Sequence, residues 1–147
     1  MTRRVRLAPA IIDTNVLVAG LLSGNDQSPV VRILDAMLAG WLPFVLSEEL
    51  LTEYRNVLLR PKLRKLHGLE VAEIDDILTD LAQLAIVLAP PRGEQHAPDA
   101  GDQLLWNLLE ARSEFVLVTG DKLLLDDEAM AGRVLTPSEF MAEFFEA

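Results

Sequence analysis

The sequence contains no cysteine, which excludes a disulfide framework, a zinc-thiolate centre and a thiol nucleophile. A chain without thiols suits a reducing compartment, and a cytoplasmic location is expected. Aromatic residues make up only 5%. The apolar mass is Leu, Val, Ile and Ala, which favours helices packed on a sheet over an aromatic-rich β-sandwich. Positive charge is short as well, with 13 Lys and Arg against 23 Asp and Glu and a formal net charge of -10. That balance argues against broad, nonspecific nucleic-acid binding. It leaves room for a nuclease whose acids converge on cations, because bound cations cancel charge that the formal count includes. Long hydrophobic runs are also missing. Behind the basic start Met1-Thr-Arg-Arg-Val-Arg6, the apolar stretch is broken by Asp13 and Asn15, so neither a signal peptide nor a membrane span is expected.

What is present reads as a single domain over residues 1–147, long enough to bury roughly two thirds of its unfolded surface. Strands are expected at residues 9–12, 41–46, 85–88, 115–119 and 133–135, as short apolar runs without alternation of the kind found in a parallel sheet covered on both faces. Residues 19–27, rich in small and polar side chains, read as a loop. Ser28-Pro29 then reads as a cap and first turn, and helical spacing carries on through Ile33 and Met37 to Gly40. Ser47 caps a second helix that ends at Arg60-Pro61. A third spans residues 71–84, with Glu73, Asp75, Asp76 and Asp80 as its solvated face. Another begins near Asp99, and a last one follows Thr136-Pro137. In that last helix Phe140, Met141, Phe144 and Phe145 form a stripe suited to core packing or to a partner surface. His96, in the loop at residues 92–97, is read as a surface histidine.

Two strands release an aspartate at their carboxyl ends: Asp13 after the first and Asp121 after the fourth. In open α/β sheets ligands gather beyond those ends, at the point where strand order reverses. Strands one and four commonly adjoin there, which would place Asp13 and Asp121 over one crevice. Glu53 and Asp102 can approach from the helices beginning at Ser47 and Asp99. Each of these acids also has a plain reading: Glu53 as an exposed helix acid, Asp99 as an N-cap, and Asp102 as a first-turn acid favoured by the helix dipole. Two carboxylates about 4 Å apart repel by roughly 4 kcal/mol at an effective dielectric of about 20. Four together must therefore bind protons or cations. An all-oxygen set matches magnesium or manganese rather than zinc. Two such ions about 3.5 to 4 Å apart would activate water and stabilise the leaving oxygen of a phosphodiester displacement. Arg55, Arg60, Lys62, Arg64 and Lys65 fall within eleven positions and read either as a solvated helix surface or as an RNA-contacting rim.

Ile11-Ile-Asp-Thr-Asn-Val16, Ser47-Glu-Glu-Leu-Leu-Thr-Glu-Tyr54, Asp99-Ala-Gly-Asp102 and Val118-Thr-Gly-Asp-Lys-Leu-Leu124 resemble the four acidic motifs of PIN-domain ribonucleases, in the family's order. The likeness is greatest to small prokaryotic PIN proteins of toxin-antitoxin pairs. It implies a three-layer α/β/α, Rossmann-like fold with a mainly parallel sheet. It also implies an endoribonuclease dependent on one or two Mg2+ or Mn2+ ions, an RNA substrate, a homodimer, and inhibition by a small antitoxin protein. Position by position, the resemblance implies that Asp13, Glu53, Asp102 and Asp121 are the catalytic metal ligands, selecting Glu53 over Glu49. Asn15, Asp99 and Thr119 become supporting residues. The family pattern often carries a further acid where Gln103 stands.

A rival from another class is a catalytically silent PIN-like module that binds RNA or a protein partner. A phosphatase of the haloacid-dehalogenase type is disfavoured, because such enzymes carry a second aspartate two residues after the nucleophile, and that position here is Asn15.

Overall fold

Pro43 sets where the second strand can start. It has no backbone N–H to donate, yet its carbonyl accepts from the Ala10 amide at 3.0 Å, and pairing begins at the next residue. A computed structural model of the chain describes residues 8–144. The basic segment at residues 1–6 and Phe145 lie outside that range. Five strands form one sheet: β1 (Ala10–Ile12), β2 (Phe44–Leu46), β3 (Ile86–Val87), β4 (Val116–Val118) and β5 (Val134–Leu135). Their order is β3-β2-β1-β4-β5, and every pair is parallel. The chain builds outward from β1 in one direction and then returns to lay β4 on its other side. The switch point expected between the first and fourth strands is therefore present.

β1, β2 and β4 are buried along their whole length, as strands covered on both faces must be. Among the described residues eight α-helices surround them: α1 (Thr14–Leu22), α2 (Pro29–Leu38), α3 (Glu48–Leu58), α4 (Pro61–His67), α5 (Val71–Leu84), α6 (Gln103–Ala111), α7 (Lys122–Leu125) and α8 (Pro137–Phe144). The arrangement is the three-layer α/β/α one. Trp106, Tyr54, Phe44, Phe115 and Phe140 are the largest side chains wholly inside it. Among the described residues no helix is long and apolar enough to cross a membrane.

Sequence periodicity and structure differ most at α1. Residues 19–22, read as loop, are the last turn of this helix, which is apolar nearly all round. Without a polar face it has no amphipathic period to read. It is buried because it packs on both α2 and α3. Trp41, read as the start of the second strand, is 76% exposed and precedes the sheet. The terminal helix carries Phe140 and Met141 into the core, and it packs on α2 and β5.

α1 and α2 approach closely at Gly20. A Cβ there would lie 2.9 Å from the Val30 carbonyl oxygen and 3.2 Å from Leu34 Cβ. Because the closest obstacle is backbone, the helices would have to separate to admit it. Gly20→Ala should therefore lower stability by about 1 to 3 kcal/mol, read as a fall in urea midpoint. An unchanged midpoint would mean that the helix pair yields freely.

Candidate active site

Asp13 follows β1 directly and caps α1. Its backbone amide donates to the Val118 carbonyl at 3.0 Å, which extends the β1–β4 ladder by one rung. Its side chain is only 7% exposed, so each carboxylate oxygen needs donors. Oδ1 accepts from the Thr14 amide at 2.8 Å. Oδ2 accepts from the Thr119 hydroxyl at 2.7 Å and from Asn15 Nδ2 at 3.3 Å. Burial nevertheless raises the pKa of Asp13 above its ordinary value, against the pull of the Thr119 and Thr14 bonds, and Glu53 and Asp121 add to the rise.

Thr119 sits at the carboxyl end of β4, completely buried. While its hydroxyl donates to Asp13, the same oxygen accepts from the Asp121 amide at 3.0 Å. Asp121 in turn caps α7, with Oδ1 accepting from the Leu123 amide at 2.9 Å. Asn15 reaches across from α1, its Oδ1 accepting from the Gly120 amide at 3.3 Å. The two strand ends are thus laced together by side chains from both.

Glu53 lies on α3 and is held by Thr14, whose hydroxyl donates to Oε2 at 2.8 Å. Its neighbour Tyr54 is fully buried and donates its hydroxyl to the Ile12 carbonyl at the end of β1. Burial, and after it the charges of Asp13 and Glu53, hold that phenol protonated well above its ordinary range. It stays a donor under all ordinary conditions. Thr14 and Tyr54 were not singled out from the sequence. The signals available were the threonine's place inside Asp13-Thr-Asn15 and the presence of only one tyrosine in the chain, next to Glu53.

Asp102 ends a short 3-10 turn, Ala100–Asp102, capped by Asp99 through a bond from the Gly101 amide at 2.9 Å. Its pKa is raised from 3.8 to about 6, first by burial and then by Asp13, Asp121, Asp99 and Glu53. Asp102 therefore feels the other four acids read from the sequence as site residues. Among the described residues no lysine or arginine is ion-paired with Asp13, Glu53, Asp102 or Asp121. Arg55, one of the basic candidates, is instead tied to Asp75 at 2.8 Å. Arg60 lines a cleft beside Glu53, and Lys62, Arg64 and Lys65 are exposed on α4.

The donor set fits a hard divalent cation in two respects, being all oxygen and carrying negative charge that no basic side chain among the described residues offsets by ion pairing. Among the described residues, however, no three acidic or histidine side chains already converge as ligands around one point. Gln103 turns away from the carboxylates. Its Oε1 accepts from the Ala97 amide at 3.0 Å, while Nε2 donates to the Gln95 carbonyl and to Asn107 Oδ1, each at 3.0 Å. A carboxylate has no proton for those two donations, which is a physical reason for an amide at this position.

A family model described as PIN domain matches residues 9–123. With that span the chain belongs to the PIN-domain family, whose members are generally nucleases that use divalent metals. No curated protein matches it.

Two measurements probe this geometry. Thr119→Val keeps the side-chain shape but leaves the Asp121 amide without its acceptor and Asp13 Oδ2 with only the longer bond from Asn15. It should cost about 1 to 3 kcal/mol in urea unfolding, whereas a loss near zero would mean that the hydroxyl bridge is idle. The second follows from Asp102, whose proton is held more tightly in the folded state, so stability attached to it is complete below pH 3.8 and lost as pH rises through about 6. In metal-free protein the Tm should therefore fall less steeply with pH across that window in Asp102→Asn than in wild type. Parallel profiles would remove Asp102 as the cause.

Proposed function

We propose that this PIN domain is a divalent-metal-dependent endoribonuclease, occupying the whole chain and acting in the cytoplasm as the toxin component of a toxin-antitoxin pair. What supports the nuclease reading is that Asp13, Glu53 and Asp121 lie near enough to Asp102 to raise its pKa, close to the carboxyl ends of β1 and β4 and without a basic partner among the described residues. Asp13, Glu53, Asp102 and Asp121 are the residues proposed to hold Mg2+ or Mn2+, one ion or two. Bound there, the metal supplies activation of water and neutralisation of charge on the leaving oxygen during hydrolysis of the phosphodiester.

The chain's own side chains prepare that chemistry by fixing the ligands. Thr119 and Asn15 aim Asp13 Oδ2, Thr14 aims Glu53 Oε2, and the α7 amide of Leu123 aims Asp121 Oδ1. Asp99 shapes the turn that presents Asp102. Arg60, Lys62, Arg64 and Lys65 form the proposed RNA-contacting flank. Arg55 has a weaker claim because its guanidinium is already engaged by Asp75. The toxin role, the homodimer and control by a small antitoxin protein are proposed from the resemblance of the four motifs to small prokaryotic PIN toxins.

The turning of Gln103 away from the cluster favours a second reading, a catalytically silent module that binds RNA or a protein partner. Asp13→Asn separates the two. The substitution keeps an oxygen for the Thr14 amide and relieves repulsion, so the circular dichroism spectrum should stay native. Mg2+- or Mn2+-dependent cleavage of an RNA pool should meanwhile fall by more than about 100-fold. Equal cleavage by both proteins would refute the nuclease assignment. Absence of both cleavage and calorimetric ion uptake in wild type would leave the silent module.

A further inference from the structure

Two hydrogen bonds meet on the peptide between Ile12 and Asp13, one from a helix and one from a strand. The β1–β2 register pairs Ala10 with Phe44 and Ile11 with Val45, and the chain leaves the sheet after Leu46, where Ser47 caps α3. Ile12 lies one residue beyond that register, and its carbonyl accepts from the Tyr54 hydroxyl. At the other end of the same peptide, the Asp13 amide donates to the Val118 carbonyl at 3.0 Å. A single peptide unit therefore joins α3, β1 and β4, the elements that carry Glu53 or release Asp13 and Asp121.

The buried residues of α3 are Leu50, Tyr54 and Leu58, a stripe at helical spacing. Its two leucines hold the helix in the core, but burial and dispersion have little direction and tolerate sliding. A hydrogen bond has direction. A slide of one residue moves a helix by about 1.5 Å, whereas ligand distances in a metal site hold to about 0.2 Å. Glu53 adjoins Tyr54 in sequence, so whatever fixes the height and rotation of one fixes the other. Thr14, on α1, aims only the end of the Glu53 side chain, at 2.8 Å. Tyr54 restrains the helix itself. There is a force to restrain, because the charge of Glu53 reaches Asp13 and pushes α3 away from the end of β1. A buried phenol must find a partner, and this one finds the carbonyl immediately before a proposed ligand.

We propose that Tyr54 is a positioning residue of the carboxylate site: its hydroxyl, through the Ile12 carbonyl, sets the height and rotation of α3 and so keeps Glu53 in register with Asp13 for a divalent ion. The inference rests on the metal-dependent reading above and adds the residue that sets the spacing between two of the proposed ligands. Tyr54 is wholly buried and touches neither ion nor substrate; it acts through the helix and the strand end. Partners standing behind metal ligands in this way govern affinity by about 10- to 100-fold.

The test is calorimetric titration of the full-length protein with Mn2+, which requires no turnover. Tyr54→Phe keeps the ring and removes only the hydroxyl, so the circular dichroism spectrum should stay native while Mn2+ binding weakens by about tenfold. Glu53→Gln alone should also weaken binding. Adding Tyr54→Phe to it should cost less than about a further twofold, because the two residues act as one unit. Leu58→Val trims the same buried stripe without touching the bond, and it should lower the urea midpoint while leaving Mn2+ affinity within about twofold of wild type. The positioning role is overturned if Tyr54→Phe binds Mn2+ as wild type does, if it weakens binding equally with and without Glu53→Gln, or if Leu58→Val weakens binding as much. If wild type takes up no Mn2+, the metal-dependent reading itself has failed and the role of Tyr54 falls with it.

Discussion

One hydroxyl couples the two halves of this sheet at its most charged point. Thr119 Oγ1 donates to Asp13 and accepts from the amide of Asp121, so the ends of β1 and β4 are joined where each releases a carboxylate. Parallel pairing brings those strand ends together, and like charges there repel. The fold meets that constraint with short-range donors: the Thr14 amide, the Asn15 side chain and the Thr119 hydroxyl all point at Asp13. Burial still outweighs them in setting the direction of its pKa. The repulsion is thus reduced locally and left in place across the cluster, which is the condition under which a cation is worth binding.

The cap reading and the site reading of these aspartates are the same fact seen twice. Asp13 caps α1, Asp99 the 3-10 turn before α6, and Asp121 α7. A side chain that accepts from amides at a helix start is oriented by them and also benefits from the positive end of the helix. Each capping bond leaves other lone pairs of the carboxylate free, since an ionised acid has about four acceptor sites. Caps therefore hold the acids in place without consuming them. Glu53 is the exception: it lies within α3, and its anchor is the Thr14 hydroxyl from α1.

The sheet was legible because its strands are unbroken apolar runs, and Asp13 and Asp121 were legible because they interrupt the apolar pattern at its edge. Ser28 and Ser47 announced their helices through capping chemistry, and each accepts the corresponding bond, whereas Asp99 caps the 3-10 turn that precedes α6. α1 was hidden by the same burial that makes it important, since a helix covered on several sides has no polar stripe. Side-chain partnerships far apart in sequence were hidden too. Arg55 and Asp75, twenty residues apart, each looked like an ordinary solvated charge, and only the packing of α3 on α5 brings them into contact. Thr14 and Tyr54 escaped notice because a threonine after a strand and a tyrosine at an apolar helix position are unremarkable until the partner is known.

Gln103 shows how a departure from a family pattern can be read physically. An acid there would add a fifth negative neighbour to Asp102, whose proton is already held first by burial and then by four acidic neighbours. It would also lack the two hydrogens that Gln103 gives to the Gln95 carbonyl and Asn107. The amide is the side chain that can accept from the Ala97 amide and donate to the Gln95 carbonyl of the same loop while remaining neutral. Losing an acid near the cluster and gaining a fastened loop are consequently one change. The position is better understood through the loop it fastens than through the metal ligand it does not supply.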